Sequence, residues 1–203
     1  MNQKLNIYLI RHTKVKLDSG TCYGQSDVAL TDKFIPAYKR IQAQMPTSYA
    51  TIISSPLQRC LQLAEKLNDN QPVTTDKRLM EIHFGDWEMQ KWNNINQEAV
   101  QKWMNDINTA PPNGESFQTL FERCQDFWNE IIITRTKTCQ MAQTVIVVTH
   151  LGVIRALLAH ILEMPLKKSL CLQTDYGAIN KLKYHTDEKT NQAWITVEYL
   201  NQK

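Results

Sequence analysis

The stretch LNIYLIRHTKV sets Arg11 and His12 side by side, and VVTHLGVIRALL carries a second histidine, His150. SSPLQRC contributes Arg59, and RLMEIHFGDWE contributes three carboxylates, Glu81, Asp86 and Glu88. A guanidinium is permanently charged and meets phosphate oxygens in pairs, so two of them suit a doubly charged anion. A neutral imidazole is a competent nucleophile toward phosphorus, and an ordinary pKa near ~6.5 leaves it neutral at pH 7. His12, beside Arg11, is the candidate nucleophile, and His150 would then donate to the charge developing on the transferring phosphoryl group. A departing alkoxide needs a proton. Glu81 directly follows the apolar Leu79-Met80, where partial burial would keep a carboxyl in its acid form; Asp86 and Glu88 are the other candidates.

Such groups act only if the backbone brings them together. Leu5–Ile10, Ala50–Ser54 and Thr144–Thr149 are short β-branched runs without polar alternation, as expected of strands covered on both faces of a parallel sheet. Arg11-His12 ends the first run and His150 the third, while Arg59 falls in the first turn of a helix after the second. In that helix Ser55 is the expected cap, Pro56 the first helical residue, and Leu57, Leu61, Ala64 and Leu67 the apolar face. Ligands of open α/β sheets bind beyond the carboxyl ends of the strands, so both histidines, both arginines and two helix N-termini should converge there. The spacing predicts a three-layer α/β/α domain over 1–203 with a mostly parallel sheet and a small helical cap inserted at about 87–114. Phe117, Leu120, Phe121, Cys124, Trp128 and Ile131 form one helical stripe, and GAINKLKYH and AWITVEYL a closing hairpin around TDEKTNQ.

The bulk properties exclude several classes. A formal charge of +3, with no dense basic block, argues against nucleic acid as a partner. Nothing approaches the roughly 18 consecutive apolar residues of a membrane span, and there is no leader-like h-region. Five cysteines without a CxxC pair suit free thiols in a reducing cytosol. No Walker A motif, HExxH or carboxylate-rich cluster calls for a metal, and no cofactor is expected. The implied partner is a small phosphate ester.

LIRHT, SSPLQRC, LMEIHFGDWE, NGES and VVTHLGVIRALL occur in this order. In that combination nearly the whole chain resembles the histidine phosphatase superfamily, with its phosphoglycerate-mutase-like fold. The resemblance implies a phosphoric monoester hydrolase in which His12 becomes phosphorylated. It further implies a phosphate pocket of Arg11, Arg59, His150 and the Leu151 N–H, with Glu81 as acid and base. GTCYGQSDVAL, residues 20–30, is similar to the branch containing α-ribazole-5′-phosphate phosphatases, which act in assembling the lower ligand of cobalamin. Cys22, Tyr23 and Gly24 in that loop, and His83 near Glu81, are candidates to meet the substrate. His160 and His185 are expected to be packing residues.

Thr13 and Met89 stand where the superfamily usually has glycine, as does Leu151, and Asp18 stands where many mutases carry an asparagine. The alternatives are a mutase-type phosphoryl transferase, a broad-specificity phosphatase, and a phospholigand sensor. A sensor would need neither His12 nor Glu81.

Overall fold

The computed structural model describes residues 2–133, 143–187, 190 and 192–203. Six strands form one sheet: β1 (Asn2–Arg11), β2 (Thr51–Ser54), β3 (Thr74–Thr75), β4 (Gln143–Thr149), β5 (Ile179–Asp187) and β6 (Gln192–Gln202), in the order β3-β2-β4-β1-β5-β6. The β3-β2, β2-β4 and β4-β1 pairings are parallel. The tail hairpin adds its two strands antiparallel beside β1, which places β1 inside the sheet instead of at an edge. Part of its turn, and Cys139, lie outside the described residues.

The central strands are apolar throughout because both faces are covered. Leu5, Ile7 and Leu9 of β1 and Val145 and Val147 of β4 face one core, which is closed by α4 (Phe117–Phe127) and α5 (Leu151–Ile161). Tyr8 and Ile10, with Ile146 and Val148, face the other, closed by α1 (Phe34–Gln42) and α2 (Gln58–Leu67). The period-2 geometry of a strand turns each run into two half-cores. No helix among the described residues is long and apolar enough to cross a membrane. Cys22, Cys60 and Cys124 are buried free thiols and Cys171 is an exposed one.

Two local expectations need correction. The helix after β2 begins at Gln58, not at Ser55-Pro56, because Leu57 is still extended. The Ser55 hydroxyl takes the Leu57 N–H at 3.3 Å and faces His150, so it holds a turn and does not cap the helix. The stripe from Phe117 is likewise not one α-helix. It passes at Trp128 into a wider π-turn to Ile133, and Phe127 and Ile132 join Phe117, Leu120, Cys124 and Trp128 among the buried residues; the Ile131 side chain lies outside the described residues.

The segment expected to form a cap holds a 3₁₀ turn at Trp92–Asn94 and α3 (Gln97–Asn105), which Asn96 caps by accepting the Ala99 N–H. Trp92 and Trp103 stack with centroids 5.9 Å apart, and Phe84 and Trp87 meet both rings edge-on.

Candidate active site

The β1–β4 register builds the centre of the site. Arg11 pairs with Thr149, so the next residue of each strand, His12 and His150, arrives at the same level. The His12 N–H donates to the Thr149 carbonyl at 2.9 Å, and the two rings meet edge to face, 5.1 Å between centroids. Both histidines are buried, as is Arg59.

Hydrogen bonds assign each tautomer. A carbonyl only accepts, so the 2.8 Å contact between His12 Nδ1 and the Thr13 carbonyl puts the proton on Nδ1 and leaves the Nε2 lone pair free. A guanidinium only donates, so the Arg59 Nε–H donates to a bare His150 Nδ1 at 3.3 Å. The single N–H of neutral His150 is then Nε2–H, directed at Ser55 Oγ 2.8 Å away. Burial first, then Arg59, holds both imidazoles well below their ordinary pKa; Arg11 adds to this at His12, and His12 itself at His150.

Arg11 donates through Nη1 to the Thr174 carbonyl at 2.6 Å and lies 4.0 Å from the centre of the Tyr176 ring. Its Nε is buried with no partner among the described residues, as are the hydroxyls of Thr13 and Thr174. Tyr176 stands 5.5 Å from the His12 ring and shares a 2.7 Å hydrogen bond with the Tyr23 hydroxyl. One N–H of each Arg59 Nη goes to a carbonyl, Nη1 to Ser26 at 2.9 Å and Nη2 to Gly24.

Glu81 is half-buried and meets the first turn of α5: Oε2 accepts the Gly152 N–H at 3.2 Å and Oε1 the Ile82 N–H at 3.0 Å. A Cβ on Gly152 would collide with that carboxylate, so glycine permits the approach. Arg123 clamps the segment from behind, donating to the carbonyls of Arg78 and Glu81 and forking onto Glu115 at 2.6 and 2.8 Å. Glu115 also accepts the His83 N–H, at 3.2 Å. Arg123 and Glu115 went unnoticed as site residues in the sequence, although Glu115 falls inside the NGES block.

Arg11, Tyr23, Glu81, Leu151, Gly152 and Tyr176 line a cavity of about 440 Å³ whose other walls include Phe84, Trp92, Trp103, Ile107, Phe117 and Arg155. Cys22, Gly24 and His83 do not line it, and neither do the buried His12, Arg59 and His150. Cys22 faces the core, where burial and then Glu88 push its thiol up to about 12, so it is no substrate contact. Gly24 is buried and reaches the site only through its carbonyl on Arg59. His160 packs against Phe121 and Trp128, and His185 stacks on Trp194. Asp18 is exposed and pairs with Lys91 at 3.4 Å. Asp86 is bonded by Asn113 at the surface. Met89 holds φ +65°, a backbone conformation that favours the glycine usual at that position. No group of three or more His, Cys, Asp or Glu side chains that could hold a metal occurs among the described residues.

The model of the histidine phosphatase superfamily (branch 1) matches residues 7–196. An adenosylcobalamin/α-ribazole phosphatase of Escherichia coli K12 is 31% identical over 97% of this chain and 96% of its own length. A glucosyl-3-phosphoglycerate phosphatase of Mycolicibacterium vanbaalenii is 30% identical over 78% of this chain and 75% of its own. The α-ribazole phosphatase structure from Shigella flexneri superposes with a TM-score of 0.82 at 25% identity, covering 97% of this chain and 96% of that one.

Proposed function

The chain belongs to the histidine phosphatase superfamily, and from that premise we propose that it hydrolyses α-ribazole 5′-phosphate through a phosphohistidine on His12. One observation carries the chemistry. His12 is buried and neutral, its Nδ1–H is committed to a carbonyl, and its Nε2 lone pair is free among cations.

In the first step His12 Nε2 attacks phosphorus as the P–O bond to the ribose breaks, and Glu81 in its acid form gives its proton to the departing 5′-oxygen. In the second, Glu81 takes a proton from water, the water oxygen bonds to phosphorus, and the P–N bond breaks to return His12. Arg11 and Arg59 supply the fixed positive charge for both steps, with the unpartnered Arg11 Nε as a ready donor to a phosphoryl oxygen. The Leu151 N–H, at the start of α5, is a further donor in this reading. His150 backs His12 and orients Arg59; to donate to phosphate as well, its Nε2–H must leave Ser55.

The substrate half of the proposal rests on the cavity wall. Trp92, Trp103, Phe84 and Phe117 offer an apolar aromatic surface suited to the flat base of an α-ribazole. A glycosylated phosphoglycerate is polar over its whole length and finds less there. Tyr23 and Tyr176 line the cavity, Tyr176 with its ring 5.5 Å from that of His12, and would meet the ribose.

The test uses α-ribazole 5′-[³²P]phosphate and a rapid quench. Protein-bound label that is acid-labile and base-stable, and absent from His12→Ala, is the expected result. Label retained in His12→Ala removes His12 as the nucleophile. A kcat/KM higher for glucosyl-3-phosphoglycerate than for α-ribazole 5′-phosphate removes the substrate assignment and leaves the chemistry standing.

A further inference from the structure

Glu88 does not line the cavity, yet its carboxylate collects four donors. Oε1 accepts the N–H groups of Gln25, at 2.7 Å, and Phe84, at 3.1 Å. Oε2 accepts the Ser26 N–H at 2.7 Å and the Ser26 hydroxyl. The Gln25 N–H and the Gly24 C=O belong to one peptide group, and in a planar trans peptide the two point opposite ways. Holding the N–H on one side therefore aims the carbonyl on the other, and that carbonyl accepts Arg59 Nη2. Arg59 Nη1 is held by the carbonyl of Ser26, the residue whose N–H and hydroxyl Glu88 grips.

The arrangement is built to close tolerance. A Cβ on Gly24 would strike the Ile82 carbonyl and come within 2.8 Å of Glu88 Oε1. Arg59 is wholly buried, and no carboxylate contacts its guanidinium among the described residues. A buried cation is costly when uncompensated. A carboxylate in direct contact would stabilise it but would compete with phosphate for the same N–H groups. One peptide group away, Glu88 compensates the charge and fixes its direction while leaving one N–H of each Nη for an oxyanion.

We propose that Glu88 is a positioning residue for the anion site, aiming the Arg59 guanidinium through the Gly24–Gln25 peptide group without touching the phosphate. This rests on the reading of Arg59 as a phosphate ligand. A double-mutant cycle on orthovanadate inhibition tests it, with thermal unfolding followed for each variant. With Arg59 present, Glu88→Gln is expected to weaken vanadate binding about tenfold; in Arg59→Ala the same substitution should change it less than about twofold.

An equal loss in both backgrounds makes Glu88 a general structural staple and overturns the proposal. If Arg59→Ala weakens binding and Glu88→Gln does not, this inference falls alone. If Arg59→Ala binds vanadate like the wild type, the phosphate-pocket reading falls and takes the inference with it. Should Glu88→Gln fail to fold, Ser26→Ala, which removes one of the four donors, goes through the same cycle. A coupling to Arg59 of about two- to fivefold then supports the proposal, and none overturns it.

Discussion

His12 and His150 stay neutral in the fold because burial and the nearby guanidiniums penalise their protonated forms. An unfolded chain carries no such penalty, so each histidine there binds a proton near pH ~6.5. Stability from the pair is complete above that value and declines as pH falls below it, toward the depressed folded-state pKa values. The expected slope is about 1.4 kcal/mol per pH unit for each histidine. Urea unfolding between pH 7.5 and 5 should show it, and His150→Asn should remove one histidine's share; an unchanged slope in that variant refutes the account. Arg11, His12, Arg59 and His150 were legible because each sits at a strand end or in the first helical turn after one, where backbone order fixes side-chain position. Glu81 lies in the loop after the 3₁₀ turn Lys77–Leu79 and was legible only as the carboxylate following an apolar pair. Tyr176, Glu115 and Arg123 were not, because they reach the site from segments far away in sequence. Cys22 misled through its neighbours: Thr21 and Tyr23 line the cavity, while Cys22 between them faces the core.

Among the elements, the first turn of α5 has the narrowest tolerance, since Gly152 both donates to Glu81 and makes room for it. Gly152→Ala should therefore behave as a lesion of the proposed acid, Glu81, with little change in unfolding temperature. Single-turnover phosphorylation by an alkyl phosphate is expected to slow about 10²-fold, within the range of lost general acid catalysis. A nitrophenyl ester, whose leaving group departs without a proton, should slow far less. Equal losses for the two esters would mean that the methyl group disturbs binding and not proton transfer. The strands β1, β2 and β4 and helices α2 and α5 were readable from uninterrupted apolar runs and helical spacing. Helix α1 was not, because Pro36 looks like a breaker although it sits within the first turn, where its missing N–H costs nothing. The two-residue β3 carries no pattern at all, and its strand pairing comes from β2.

The whole molecule divides its work across the sheet. The core under α4 and α5 continues into the cavity wall, while the far end of α2 lies two turns from Arg59. Leu67→Ala and Leu120→Ala should each cost about 2–5 kcal/mol of stability. Leu67→Ala should leave kcat within about twofold, whereas Leu120, which packs beside Gly152, should also lower kcat about tenfold because small displacements of reacting groups are costly. Similar kcat losses in both would refute the division. The sheet order has a further consequence, in time. β1 is made before the other five strands of the sheet, yet both its neighbours, β4 and β5, lie beyond residue 142. Asn6 and Thr144 are 138 positions apart, a separation that a ribosome adding about 5–20 residues per second covers in roughly 7–28 s. Through that interval β1, which leads directly into His12, has neither of its sheet neighbours, so keeping the nascent chain apart from others is the demand this topology is expected to make.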